Sequence, residues 1–174
     1  MSKLIIQPNN EDHIQGKENS SITLVEYGDF QCPYCKEAYP IVKEIQKIKG
    51  DVLRFVFRNF PLSEIHSYAL HAAYAAEAAG KQNKFWEMHD ILFENQENLK
   101  DSDLRLYSEK LSLDMDQFIK DMNSDEVAKK VQTDIMGGIK SGVNGTPTFF
   151  INNIRFDGPS ELDSLLEAID LADK

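Results

Sequence analysis

The chain has 174 residues, 41% hydrophobic and 28% charged, with a formal net charge of -10, which suits one compact domain with a real core. The acidity leaves no basic footprint for nucleic acid or anionic lipid and reads as a solvated surface. No stretch approaches the roughly 18 apolar residues that insert into a membrane, and the start, Lys3 followed by Leu4, Ile5 and Ile6, lacks the long apolar run of a secretory signal, so a cytoplasmic location is expected unless a signal has been removed.

Residues 1–20 are polar and irregular, with a short strand expected at Lys3 to Gln7. Ile22 to Tyr27 is a β-branched and aromatic run that breaks at Gly28-Asp29, the pattern of a strand and a turn. Ala38, Ile41, Val42, Ile45 and Ile48 then recur at three- and four-residue spacing, which predicts a helix from Pro33 to about Ile48. Pro33 suits a first helical turn, Pro40 should kink the helix, and Gly50 should stop it. Val52 to Phe57 is nearly continuous in apolar residues, as in a buried parallel strand. Strand, helix and strand make a βαβ unit.

Residues 62–142 read as helices: Tyr68 to Ala79, Phe85 to Phe93, shorter pieces near 102–111 and 114–122, and a longer one capped by Ser124 and running to about Ile139. Phe85, Trp86 and Met88 read as core residues. Strands return at Thr148 to Ile151 and Ile154 to Phe156, joined by Asn152-Asn153 as a tight hairpin. Ser160 and Asp163 then resemble a capping box before Leu162, Leu165, Leu166 and Ile169.

There are two cysteines, Cys32 and Cys35. Random placement would set a pair three apart only about 1% of the time. Two thiols cannot build a disulfide scaffold or close a four-thiolate metal site, so the pair reads as redox-active. A C-x-x-C at a helix start puts both sulfurs on one turn. The unpaired N–H groups and partial positive charge there favour a thiolate at the first cysteine. Cys32 is thus expected to be the exposed nucleophile, with Cys35 facing inward as the resolving thiol. Glu26 lies six residues before Cys32 in an otherwise apolar strand. If buried, its carboxyl would have a raised pKa and could exchange a proton with Cys35. His13, His66, His71 and His89 show no metal-ligand order and read as structural; His66, after Phe60-Pro61-Leu62, could border the active-site face.

The segment Val25-Glu26-Tyr27-Gly28-Asp29-Phe30-Gln31-Cys32-Pro33-Tyr34-Cys35 resembles the active-site strand and helix of DsbA-family thioredoxin-like proteins. Gly145-Thr146-Pro147-Thr148-Phe149-Phe150 resembles that family's cis-proline loop. The resemblance covers residues 11 to 173. It implies an α/β thioredoxin fold, βαβ plus ββα, formed by residues 1–61 and 143–174, with a helical insertion subdomain at 62–142. It also implies that Pro147 is a cis proline against the cysteines, that the Thr146 backbone pairs with a substrate strand, and that Glu26 is the family's buried acid. Pro33 and Tyr34 between the cysteines would set the redox poise. Tyr34 replaces the type member's histidine and Thr146 its valine, which points away from a strong exported oxidant; in a reducing cytoplasm a dithiol resting state is expected.

The expected function is therefore thiol–disulfide exchange with protein substrates, recharged by an unidentified redox partner and needing no cofactor or metal. Two alternatives differ in class. A glutaredoxin-like protein could hold an iron–sulfur cluster, since Pro-Tyr also lies between glutaredoxin cysteines. A chaperone-like peptide binder would use the apolar surface of the helical insert and work without redox turnover.

Overall fold

The computed structural model describes residues 1–174. Its central sheet has five strands: β1 (His13–Gln15), β2 (Ile22–Gly28), β3 (Leu53–Asn59), β4 (Thr148–Ile151) and β5 (Ile154–Phe156). Their spatial order is β1-β3-β2-β4-β5. β2 and β3 are parallel, with Ile22 opposite Leu53 and Gly28 opposite Asn59. β4 runs antiparallel to β2, with Glu26 opposite Phe149, and β5 returns antiparallel to β4. A parallel pair needs a crossover, and α1 (Pro33–Lys49) supplies it between β2 and β3. The helix runs on through Pro40, which lies on its exposed side, and ends at Gly50. At the β4–β5 turn, Asn152 and Asn153 have φ of 43° and 72°, the left-handed conformation that asparagine tolerates.

Between β3 and β4 come α2 (Ala69–Gly80), α3 (Phe85–Glu94), α4 (Asp101–Lys110), α5 (Met115–Met122) and α6 (Asp125–Lys140). Alternation along β2 divides the core. Ile22 and Leu24 join Phe55, Phe57 and Phe149 on one face, packed against Cys35, Val42 and Ile45 of α1, Ala72 and Ala76 of α2, and Met88, Leu92 and Phe93 of α3. Val25 and Tyr27 face the other way, with Val56, Phe60 and Phe150. α6 crosses that second face on two glycines: a Cβ on Gly138 would sit 2.8 Å from the Phe60 ring and 3.0 Å from Tyr27. Ser124 caps α6 by accepting from the Val127 N–H at 3.2 Å.

Two local expectations fail. Residues 3–7 form no strand; Lys3 alone makes a bridge, to Ile154. The pairing segment is His13–Gln15, antiparallel to Phe55–Phe57. Three mixed residues carry no readable period, and the open edge of β3 decides which segment pairs. The helix α7 (Leu162–Ala172) starts from Glu161, whose side chain makes no cap bond. Ser160 falls one position too early because the Glu161 N–H is drawn back to the Pro159 carbonyl at 2.8 Å.

Candidate active site

β2 ends at Gly28 and α1 begins at Pro33, and the turn between them carries the cysteines. Cys32 is the N-cap of α1, with φ -71° and ψ 123°. Its carbonyl accepts from the N–H groups of Cys35 and Lys36, each at 3.1 Å, which starts the helix and sets the Cys32 sulfur beside the first-turn amides of Tyr34 and Cys35. Proline at the first helical position removes a donor that would have had no partner there.

Cys32 and Cys35 are both free thiols. The Cys32 pKa is pulled down to about 5, first by the hydrogen bond from the Cys35 thiol, then by Thr146 and the Cys35 and Tyr34 N–H groups, against the opposing effect of burial. Burial and the bond to Cys32 push the Cys35 thiol well up. The two thiols on the turn are thus shifted in opposite directions, Cys32 toward the thiolate and Cys35 away from it. The expectation of an exposed Cys32 is corrected: only 3% of its surface is open. The reason is the loop before β4. The Thr146–Pro147 peptide bond is cis, and the Thr146 carbonyl reaches the Cys32 sulfur, accepting from the thiol at 3.4 Å. The Thr146 hydroxyl is buried with no hydrogen-bond partner, and its side chain is among the groups that draw the Cys32 pKa down. Tyr34 is the exposed member of the motif, at 68%.

Glu26 points into the core on the Cys35 side of the sheet. One of its carboxylate oxygens has no hydrogen-bond partner. Desolvation, with the Cys32 charge added, pushes its pKa up to about 8, and its own charge raises Cys35 in turn. The three groups are electrostatically coupled inside one low-dielectric pocket.

Two residues that sequence reasoning passed over also bear on the turn. Asp29 is buried; its N–H donates to the Cys35 sulfur at 3.5 Å, and its carbonyl accepts from the Cys32 N–H at 3.1 Å. Gln96, beyond α3, donates from Nε2 to the Phe30 and Cys32 carbonyls, both at 2.9 Å. Asp29 lies inside the motif and was legible as a turn residue; Gln96 carries no local signal. His66, expected to be structural, has its Nδ1 2.7 Å from Asp29 Oδ2. The other three histidines keep to the scaffold: His13 bonds Glu77 and stacks on Phe85, His71 pairs with Asp101, and His89 is buried among aromatic rings.

The family model described as Thioredoxin matches residues 8–171. A thioredoxin-like oxidoreductase from Silicibacter pomeroyi superposes with a TM-score of 0.85 at 27% identity, covering 94% of this chain and 93% of that one. Oxidised BdbD from Bacillus subtilis gives 0.83 at 25% identity, covering 99% of both chains. Alpha-DsbA1 of Wolbachia pipientis, at 21% identity and a TM-score of 0.84 over 99% of this chain and 96% of its own, shares the fold. Among curated relatives, two proteins named as Na(+)/H(+) antiporters are similar over 91% of this chain: NhaA 3 of Salinispora tropica at 42% identity and NhaA 1 of Salinispora arenicola at 44%. The chain spans about a quarter of the length of those relatives, and no helix in it is long and apolar enough to cross a membrane. The chain therefore belongs to the thioredoxin family, with the architecture of the DsbA-type thiol–disulfide oxidoreductases.

Proposed function

We propose that this protein exchanges disulfides with protein thiols through Cys32 and Cys35. The observation that carries the reading is two free cysteines on the first turn of α1, Cys32 as its N-cap beside the Thr146 carbonyl and Cys35 buried behind it, an arrangement that draws Cys32 down to about 5 and pushes Cys35 up. At neutral pH Cys32 is then the thiolate, the form that attacks a disulfide sulfur. In the reducing direction Cys32 attacks, a mixed disulfide forms, and one substrate thiolate leaves. Cys35 then attacks the Cys32 sulfur, closes the Cys32–Cys35 bond and releases the second substrate thiolate. Oxidation of a substrate dithiol runs the same steps in reverse.

Cys35 must lose its proton before it attacks, and Glu26 is suited to take it. In the free dithiol the Cys32 charge helps hold Glu26 protonated. When Cys32 enters the mixed disulfide that charge disappears, the Glu26 pKa falls, and the carboxylate becomes available as a base at the moment it is needed. Thr146, with its carbonyl beside Cys32, suits pairing with an extended substrate segment, which favours protein or peptide substrates. Pro33 and Tyr34 set the poise, Pro147 shapes the loop, and a separate redox partner recharges the pair.

The test is equilibration of the pair across a glutathione redox series, read as the mass shift after alkylation. A single two-electron transition that disappears in both Cys32→Ser and Cys35→Ser supports the reading. Failure of the wild-type chain to form an internal disulfide at any poise sinks it.

A further inference from the structure

The Asp29 side chain is wholly buried, at 0% exposure. Oδ1 accepts from the Gln31 N–H at 2.8 Å. Oδ2 accepts from the Leu62 N–H at 2.9 Å and faces His66 Nδ1 at 2.7 Å. A buried carboxylate is tolerable only when donors surround it. Two of these donors are main-chain amides, which side-chain replacement leaves in place. His66 is the one side chain in the set. A carboxylate that is ionised can only accept, and against it the facing ring nitrogen is the donor.

The main chain of the same residue touches both cysteines: the Asp29 carbonyl on the Cys32 amide, the Asp29 N–H on the Cys35 sulfur. We infer that His66 is a positioning residue for Cys35: by holding the Asp29 carboxylate it keeps the Asp29 N–H on the Cys35 sulfur and so governs the release step of exchange. This rests on Cys35 being the resolving thiol.

In that step Cys35, having given its proton to Glu26, attacks the Cys32 sulfur of the mixed disulfide. The Cys32–Cys35 bond forms and the bond to the substrate breaks. The electron pair leaves with the substrate thiolate, so the protein is oxidised by two electrons and the substrate reduced by two. The Asp29 N–H steadies the Cys35 thiolate just before attack, as a bond to the charged form does. Without His66 the carboxylate keeps only its two main-chain donors, and the Asp29 main chain is held less firmly against the Cys35 sulfur. A looser Asp29 N–H disfavours the Cys35 thiolate, whereas at Cys32 Asp29 meets only the main-chain N–H and not the sulfur. The loop that carries His66 has a second tie, from the Tyr68 N–H to Gln31 Oε1 at 2.7 Å. It stays attached when His66 is replaced, so an effect on Cys35 can be read apart from loss of the loop.

The experiment mixes reduced protein with a peptide disulfide in a rapid-quench instrument and follows two phases by mass: formation of the mixed disulfide, then release of the second peptide thiol. His66→Ala is expected to slow release roughly tenfold, the scale of a small misplacement of a reacting group, with formation changed less than about twofold. His66→Asn, whose Nδ2 occupies the place of Nδ1, is expected to restore release to within about threefold of wild type. If His66→Ala does not fold, His66→Gln fills the volume with its donor shifted, and should slow release selectively. Release at the wild-type rate in the Ala or Gln variant, equal slowing of both phases, or an Asn variant no faster than Ala would each overturn the inference. A wild-type protein that forms the mixed disulfide but never releases the second thiol would overturn the exchange reading, and this inference with it.

Discussion

Gln96 and Cys32 are 64 positions apart, yet the Gln96 side-chain amide donates to the Cys32 carbonyl at 2.9 Å. The same nitrogen reaches the Phe30 carbonyl at 2.9 Å, so the segment after α3 holds both sides of the active-site turn. Gln96→Ala removes both bonds but leaves the Cys32 carbonyl its two helical donors. The expected loss is about 1 kcal/mol of unfolding free energy, measured as a lower urea midpoint of the reduced protein. An unchanged midpoint would show that solvent replaces the amide at no cost.

Cys32 should titrate far below an ordinary thiol. Thiolate absorbance and the rate of iodoacetamide alkylation should both be half-maximal near pH 5. The leading support is the Cys35 thiol, so Cys35→Ala should raise the midpoint by about one unit or more. Such a thiolate falls between the nucleophilic cysteines of thioredoxin, at about 7, and DsbA, at about 3.5. The reduction potential is therefore expected between about -270 and about -120 mV, the values of those two proteins. A potential outside that interval would contradict the electrostatic account of the turn.

Glu26 makes reduced-state stability depend on pH. Its carboxyl ordinarily titrates at 4.5 and in the fold near 8. Between those values the folded state binds more protons than the unfolded chain, so this contribution is full below pH 4.5 and is lost as pH rises through 8. Cys32, depressed to about 5, acts in the opposite sense, so the informative quantity is the difference between wild type and Glu26→Gln. Gln should be the more stable of the two at pH 8 by about 2–4 kcal/mol, with the gap shrinking toward pH 5. Urea titrations of both reduced proteins at the two pH values measure it; a gap independent of pH would mean that Glu26 is not buried as a carboxyl.

The second face of the sheet depends on close approach of α6. Gly138→Ala puts a methyl group 2.8 Å from the Phe60 ring, and both Phe60 and Tyr27 are packed in the core. Overpacking of this kind costs about 1–3 kcal/mol. A calorimetric scan should show a lower midpoint, with the Cys32 titration unmoved because α6 lies on the face away from the cysteines.

Periodicity and turn chemistry are local, and the elements they encode were legible in the order of residues: the apolar runs of β2 and β3, the stripe of α1, the Ser124 cap and the Asn152-Asn153 turn. The placing of Cys32 and Cys35 at a helix start was legible too, because that signal lies within four consecutive residues. β1 was not, since three mixed residues carry no period and the open edge of β3 selects its partner. The cover over Cys32 was equally hidden, because it comes from Thr146, more than a hundred positions along the chain. The ties from His66 to Asp29 and from Gln96 to the active-site turn join positions 37 and more than 60 residues apart. A lone histidine or glutamine in a sequence says nothing of its partner. Only the packing of the helical segment against the sheet brings those donors within hydrogen-bond reach, and burial then makes each bond matter.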